Sequence, residues 1–368
     1  MTGAVSPAPG GFRRLRVARR VRESASVVSF ELVPTEGAAL PPFLAGQFVA
    51  VRLAMPDGEP LVRTYSLSGD PADTSRWRIS VKQETNPRGR GSCHLHEQIA
   101  VGDALEIAGP LGAFVCAEDS ERPVVLLSGG IGVTPMLSML HRLSSASTRR
   151  VHFIHACENG AVHAFRDEVR HLAGTRAGIG VHVCYRVPRG REDLDVCDSS
   201  GLLTKATLQA LLPLDDYEVY LCGPPAFMQA NWRLLRSLGV ARERIHYEFF
   251  GPATVIDDEA SQPEPPADTT RPSTIADSTA AALTVRIHPQ NEPLAWDPAC
   301  GSLLEFAEQA GHAPTFSCRA GICGSCAARL VEGQVSYVEP PLDPPAEGEV
   351  LLCCAKPLTS VTLALQCT

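Results

Sequence analysis

The chain has 368 residues, 44% of them hydrophobic and 20% charged, with 13 cysteines and a net charge of −8 from 33 basic and 41 acidic side chains. At roughly 100–200 residues per domain, this length implies two or three domains, each able to bury its own core. Near-average Gly and Pro and abundant apolar residues exclude collagen-like, coiled-coil and wholly disordered classes, and a mildly acidic chain has no overall basic excess to drive nucleic-acid binding.

Residues 1–11 are small, polar and rich in Pro and Gly, and no apolar run precedes the arginine-rich stretch Arg13–Arg22. A disordered N-terminus without a signal peptide is therefore expected. Residues 12–118 consist of short alternating runs such as Phe48–Leu53 and Trp77–Lys82, separated by Pro, Gly and Asp turns, which is the pattern of an antiparallel sheet or β-barrel. Over residues 119–252 the pattern changes. Buried runs at Val124–Leu127, Val151–His155, Val181–Tyr185 and Glu218–Leu221 alternate with helical stretches at Met136–Leu143 and Ala164–His171, predicting an α/β domain with a parallel sheet. The longest apolar stretch, Val124–Leu140, is broken by Ser128, Gly129, Gly130, Gly132, Thr134 and Pro135, so it reads as strand, turn and helix. No membrane association and a cytoplasmic location are expected.

Residues 253–281 hold four prolines and six acids against one base, with no hydrophobic periodicity. This is the composition of a flexible acidic tether, with a root-mean-square reach of roughly 30 Å. Residues 282–368 read as a compact α+β segment, with a strand at Leu283–His288, a helix at Leu303–Gln309, a cysteine-rich loop and further strands. The tether and this segment carry −5 each, which leaves residues 1–252 at +2. The acidity belongs to the tail.

Cytosolic thiols are kept reduced, so the cysteines do not read as a disulfide scaffold. Cys318, Cys323 and Cys326 stand in C-x4-C-x2-C spacing with a distant Cys353, the plant-type arrangement for a [2Fe–2S] cluster. Structural zinc favours paired C-x2-4-C knuckles and fits this spacing poorly. Cys354 adjoins Cys353 and competes for the role of fourth ligand.

Three further motifs carry chemistry. In Arg63-Thr64-Tyr65-Ser66 a guanidinium can neutralise a flavin phosphate, a Tyr can lie against the ring system and a hydroxyl can donate to flavin N5. Gly89 to Ser92 opens a helical run, Cys93–Ile99, whose N-terminal amides can hold a pyrophosphate. The strand Val124–Ser128, the glycines Gly129, Gly130 and Gly132, then Thr134 and Pro135 before a helix, make a phosphate cradle that departs from G-x-G-x-x-G, because Pro135 stands where the third Gly would be. Cys222 closes a strand at Gly223-Pro224-Pro225, where a thiol can lie by a nicotinamide or serve as buried filler. His246–Pro252 contains Glu248, Phe249 and Phe250, an aromatic strand that can cover a flavin face or belong to a core.

Together and in this order these motifs resemble the ferredoxin-NADP reductase superfamily, in the domain order of the phthalate dioxygenase reductase group: flavin barrel, nucleotide domain, C-terminal β-grasp ferredoxin. The Val350–Pro357 stretch resembles the ferredoxin C-x-A-x-P ending, which selects Cys353 over Cys354. Residues 12–252 most resemble the reductase part of flavohaemoglobins; no globin precedes them in this sequence, so that likeness does not imply nitric oxide dioxygenase activity. The resemblance implies that Arg63, Thr64, Tyr65 and Ser66 bind flavin, with Phe48, Gly89 and Ser92 lining its phosphate or ring. It implies that Gly129, Gly130, Gly132 and Thr134 bind the nicotinamide nucleotide. Ser66, Cys222 and Glu248 would flank the hydride path, and Phe249, Phe250 and Gly251 would form the segment that stacks on the flavin. FAD is favoured over FMN through the flavohaemoglobin-like barrel and the Phe249–Pro252 ending. NADH is favoured over NADPH through Glu158, which can pair with a ribose hydroxyl and would repel a 2′-phosphate; its other reading is a solvated loop acid.

The implied activity is an NAD(P)H-dependent reductase passing electrons through flavin and a [2Fe–2S] cluster to a partner protein such as an oxygenase, a cytochrome P450 or a hybrid-cluster protein. Two alternatives stand beside it. One is a redox-sensing regulatory module, against which the full set of flavin, nucleotide and cluster motifs argues. The other is a diaphorase or flavin reductase, against which the joined ferredoxin segment argues.

Overall fold

The computed structural model describes residues 12–35, 39–56, 58, 60–112, 114–250, 283–288, 292–298, 300–312, 314, 316, 326–337, 341 and 344–365. The expected disordered N-terminus, the tether, Gly251, Cys318 and Cys323 lie outside the described residues. The chain falls into two units, Met1–Phe250 and Gly251–Thr368.

In the first unit, β1 (Arg13–Arg22), β2 (Val27–Pro34), β3 (Phe48–Ala54), β4 (Pro60–Ser66), β5 (Trp77–Lys82) and β6 (Ala104–Leu111) pair antiparallel in the order β4-β3-β6-β1-β2-β5, with α1 (Arg90–Gln98) between β5 and β6 in sequence. An antiparallel bridge between Leu67 and Ile79 joins the two ends of this sheet and closes a barrel. Alternation along the strands sends Leu15, Val17, Phe30, Leu32, Val49, Val51, Trp77, Ile79 and Ile107 inward. Each such side chain removed from water contributes about 2 kcal/mol, so the short runs legible in the sequence are the barrel's own hydrophobic layer.

The second half of this unit is a parallel sheet. Its strands are β7 (Val124–Gly129), β8 (Val151–Cys157), β9 (Ile179–Tyr185), β10 (Ser199–Ser200), β11 (Glu218–Gly223) and β12 (Ile245–Phe249), in the order β10-β9-β8-β7-β11-β12. The connecting helices are α2 (Val133–Ala146), α3 (Arg166–Gly174), α4 (Arg191–Leu194), α5 (Lys205–Leu211) and α6 (Pro225–Ser237). Helix α2 begins three residues before the expected Met136 and takes in Pro135, because a proline in the first turn removes an N–H that has no helical partner anyway. Helix α3 begins two residues after the expected Ala164. Phe165, buried and left-handed at φ 63°, occupies its N-cap, so the chain turns there before the helix can start.

Barrel and sheet meet along a polar seam. Arg78 of β5 donates from Nη1 and Nη2 to Glu168 Oε2 and Oε1 of α3 at 2.9 and 2.8 Å, and His141 Nε2 of α2 lies 2.7 Å from the same Oε1. Arg78 also donates to the Ser68 carbonyl, and its guanidinium lies over the Phe165 ring, 5.4 Å from the centroid. Behind the seam, the segment leaving the barrel is tied to the sheet: the amide of Ala117 donates to the Tyr220 hydroxyl at 2.7 Å. The Tyr220 ring stacks on His246 at 4.9 Å, and His246 Nε2 lies 2.9 Å from Glu218 Oε2.

The second unit contains β13 (Thr284–His288), β14 (Leu294–Ala295), α7 (Leu303–Gln309), β15 (Ala327–Glu332), β16 (Val335–Tyr337), β17 (Glu349–Leu351), β18 (Ala355–Pro357) and β19 (Val361–Leu365). Five of the strands form a mixed sheet, β14-β13-β19-β15-β17, in which β13 and β19 are parallel and the other pairs antiparallel; β16 and β18 pair separately. Helix α7 spans the expected residues. The Ser302 side chain caps it by accepting from the Glu305 amide, and Leu303, Leu304, Phe306 and Ala307 enter a core with Val285, Ile287, Val361 and Leu363. This is the β-grasp arrangement, and with the barrel and the parallel sheet it gives the expected multidomain fold. Among the described residues no helix is long and apolar enough to cross a membrane.

The Glu168 carboxyl is held at about 2: burial pushes it up, and the hydrogen bonds from His141 and Arg78 more than reverse this. A carboxylate whose folded pKa is depressed stabilises the fold above its unfolded pKa, and that stabilisation disappears as pH falls from about 4.5 to about 2. Glu168→Gln is expected to destabilise the first unit by about 2 kcal/mol at pH 7 and to flatten its acid stability profile below pH ~4.5. Calorimetry of the full chain at a series of pH values checks both; equal acid sensitivity in the two proteins would remove the seam from the account.

Candidate functional site

In the parallel sheet, strands β8, β9 and β10 run outward on one side of β7, and β11 and β12 on the other. Chain order therefore reverses between β7 and β11, and ligands of open α/β sheets settle at the carboxyl ends of the strands at such a reversal. Every residue that the sequence assigns to the nucleotide lies there. Gly129 ends β7, Gly130 and Gly132 form a single 3-10 turn, and α2 begins at Val133.

The three glycines are glycine for different reasons. A Cβ on Gly129 would lie 2.8 Å from ring carbons of Phe227, and one on Gly132 would collide with the Cys222 carbonyl. Gly130, at φ 53°, is the one whose missing side chain leaves open space. The cradle read from sequence as three equivalent positions thus consists of one open position and two set by packing. Thr134 is buried and its hydroxyl donates to the Ile131 carbonyl at 3.0 Å, fixing the turn that presents the loop amides.

Cys222 and Glu248 are cross-strand neighbours on β11 and β12, and Cys222 faces Ser128 of β7 on the other side. Cys222 is fully buried, and burial, with the Glu248 carboxylate second, pushes its thiol well above the usual cysteine range. It is a protonated, unreactive group in this state. Sequence reasoning missed its surroundings. Ser128 Oγ lies 2.9 Å from His155 Nδ1, the His155 ring stacks on His163 at 5.0 Å, and His163 Nδ1 lies 2.8 Å from the Tyr185 hydroxyl. Burial lowers both histidines, His163 to about 4, so this row behind the nucleotide loop is neutral near pH 7.

On the barrel, register pairs Phe48 with Ser66, Ala50 with Thr64 and Val51 with Arg63. Arg63 and Tyr65 therefore share one face of β4, and Thr64 and Ser66 the other. The Arg63 stem lies against the first turn of α1, since a Cβ on Gly91 would meet Arg63 Cγ at 3.0 Å. This brings the guanidinium-bearing strand and the Gly89 helix start to one place. Ser92 accepts from the Glu84 amide at 3.2 Å and donates to the Gly89 carbonyl at 3.3 Å, which closes the loop before α1. The Phe48 ring fills the space that a side chain on Gly112 would need. Burial pushes the Tyr65 phenol upward.

Ser66 Oγ is buried without a hydrogen-bond partner among the described residues. Such a hydroxyl is open to a bound polar group, and a flavin ring nitrogen fits it. Phe250 packs at the edge of the α/β core, while the Phe249 side chain and Gly251 lie outside the described residues.

In the second unit Cys326 and Cys353 are both buried. The Leu352 amide donates to the Cys326 carbonyl at 3.2 Å, which brings the start of β15 beside the turn after β17. Two cysteine-bearing segments from distant sequence positions thereby lie side by side, as ligation of a two-iron cluster by both needs. The Cys354 thiol is buried and donates to the Leu351 carbonyl at 3.6 Å, which satisfies it locally.

Comparison with known proteins agrees with this geometry. Family models match an oxidoreductase FAD-binding domain at residues 14–116, an oxidoreductase NAD-binding domain at 126–232 and a 2Fe-2S iron-sulfur cluster binding domain at 286–358. A flavohemoprotein of Chromobacterium violaceum is 42% identical over 260 residues, covering 68% of this chain and 64% of that protein; the chain thus spans less than two thirds of the length of such relatives. The flavohem-like FAD/NAD-binding domain of nitric oxide dioxygenase from Vibrio cholerae is similar over 66% of this chain and 100% of its own, with 37% identity and a TM-score of 0.60. Phthalate dioxygenase reductase, described as a modular structure for electron transfer from pyridine nucleotides to [2Fe-2S], is similar over 97% of this chain and 98% of its own, with 28% identity and a TM-score of 0.62.

Gly132 and Gly130 differ in what an added side chain would meet. Gly132→Ala forces backbone apart and is expected to destabilise the first unit by about 3 kcal/mol, whereas Gly130→Ala meets only the left-handed penalty of about 1 kcal/mol. Thermal melts of the two purified variants check the order, and equal losses would contradict it.

Proposed function

Because the chain belongs to the ferredoxin-NADP reductase superfamily, in the domain order of phthalate dioxygenase reductase, we propose that this FAD- and [2Fe–2S]-dependent NAD(P)H oxidoreductase delivers electrons singly to a separate acceptor protein. The observation that carries this reading is the joining, on one chain, of a flavin and nucleotide unit to a β-grasp unit whose Cys326 and Cys353 are brought together by the Leu352–Cys326 backbone bond. A flavin held by the barrel would supply the conversion of a hydride's electron pair into single electrons, and a cluster held by the four cysteines would supply a one-electron carrier. A protein that only reduced small acceptors would need no cluster.

In this reading Arg63 holds the flavin phosphate together with the Gly89–Ser92 start of α1, and Thr64 contacts the flavin from the other face of β4 beside Ser66. Tyr65 and Phe48 line the ring, and the Ser66 hydroxyl donates to it at N5. Gly129, Gly130, Gly132 and Thr134 present the loop amides to the dinucleotide. Cys222 and Glu248 flank the hydride path; the protonated thiol adds no charge there. Phe250, with Phe249 and Gly251, covers the flavin face. Cys318, Cys323, Cys326 and Cys353 hold the cluster. The acceptor is a protein such as an oxygenase, a cytochrome P450 or a hybrid-cluster protein. Residues 253–368 carry −10, so charge complementarity favours a basic docking face, which speeds encounter more than it tightens binding.

Glu158 stands beyond the end of β8, exposed, with Arg186 Nη1 3.8 Å from its carboxylate. At this strand end an acid favours a free ribose hydroxyl over a 2′-phosphate, and NADH is the proposed donor. Glu158→Gln is expected to raise kcat/KM for NADPH relative to NADH roughly tenfold; an unchanged ratio in steady-state assays makes Glu158 a bystander. Cys323→Ser is expected to abolish NADH-dependent cytochrome c reduction while leaving ferricyanide reduction within about twofold of wild type. If cytochrome c reduction survives without the cluster, the electron route is wrong.

A further inference from the structure

Phe227 is the third residue of α6, and no motif in the sequence singles it out. Its ring lies against both sides of the chain reversal. A Cβ on Gly129, at the end of β7, would meet three of its carbons at 2.8–3.1 Å, and a Cβ on Gly223, at the end of β11, would meet Cδ1 at 2.7 Å and the Gly129 backbone at 3.1 Å. The same strand end carries Cys222, whose carbonyl excludes a side chain from Gly132. One aromatic ring thus wedges the mouth of the crevice, with two glycines cleared to admit it.

The ring is held in place. Pro225 starts the helix, the Met228 amide donates to the Pro224 carbonyl at 3.0 Å, and the buried Asn231 donates from Nδ2 to the Phe227 carbonyl at 2.8 Å. Met228 beneath it is fully buried, whereas Phe227 itself keeps part of its surface exposed. A large apolar ring left half-open at a ligand crevice, on a fixed backbone, offers a flat face to a planar heteroaromatic group.

We propose that Phe227 is a positioning residue for the dinucleotide: packed on the ends of β7 and β11, its ring gives the nicotinamide end a surface against which it comes to rest. The proposal rests on reading this crevice as the NAD(P)H site. Gly129 and Gly223 then serve the nucleotide indirectly, by leaving room for the ring at the strand ends. An interaction made equally with bound substrate and transition state lowers KM without changing kcat, so the residue's signature is in KM.

The test uses the full-length protein with its flavin and cluster and NADH-dependent ferricyanide reduction. Phe227→Ala is expected to raise KM for NADH about tenfold, the loss of one aromatic stacking face, with kcat within about twofold of wild type and flavin content unchanged. Phe227→Tyr keeps the face and is expected to keep KM within about threefold of wild type. The proposal is overturned if KM is unmoved in Phe227→Ala, if kcat falls as far as kcat/KM, or if Phe227→Tyr is as impaired as Phe227→Ala. Should the alanine variant fail to accumulate with flavin bound, Phe227→Leu fills the space without the flat face and is held to the same three criteria. Failure of the underlying site reading looks different: the wild-type flavin would not bleach with NADH or NADPH at any concentration.

Discussion

Between the ends of β7 and β11 two backbones come so close that Gly132 has no room for a side chain beside the Cys222 carbonyl. The rest of the catalytic unit follows from this approach. It occurs where strand order reverses, so the chain cannot cross the gap with a connection, and the crevice stays open to a ligand. It forces the Gly129–Gly132 turn, and the turn leads straight into the start of α2. It also places Cys222 where water does not reach and where its thiol keeps its proton. Chemistry at this site is arranged by backbone proximity first and by side chains second.

The barrel contributes a complementary feature. Its β3–β4 ladder is complete in backbone terms and leaves one buried hydroxyl, on Ser66, without a partner. Folding leaves this group unsatisfied at a free-energy cost of about 1–3 kcal/mol, which a bound polar group recovers. The Arg78–Glu168–His141 contact ties barrel to sheet, so the hydroxyl and the strand ends belong to one compact unit.

Much of this was legible in the sequence, for reasons that differ from place to place. The cluster cysteines announce themselves because two irons dictate the spacing of a short loop. Helix α7 spans the residues that the sequence assigns to it, and the Ser302 cap found in the structure is a local device that needs no tertiary contact. Helix α3 was placed two residues early, since the left-handed turn at Phe165 is imposed by its burial against the sheet and the Arg78 guanidinium, which no local pattern records. The seam was invisible for the same reason: Arg78 and Glu168 are 90 residues apart and each reads alone as a surface charge. The glycine loop was found, but its positions looked alike; only packing separates Gly130, which faces space, from Gly129, which faces Phe227. The row from Ser128 through His155 and His163 to Tyr185 joins four residues whose sequence contexts have nothing in common.

The bond from the Ala117 amide to the Tyr220 hydroxyl has a mechanical meaning. Tyr220 sits in the middle of β11, fully buried, stacked on His246 and fixed through it to Glu218. The segment that leaves the barrel is therefore riveted to a central strand of the neighbouring sheet, the same strand that ends in Cys222 and Gly223. The crossing from barrel to sheet is thus pinned to the strand that ends in Cys222 and Gly223, through residues other than those of the Arg78–Glu168 seam, so the two layers are joined at two separate places.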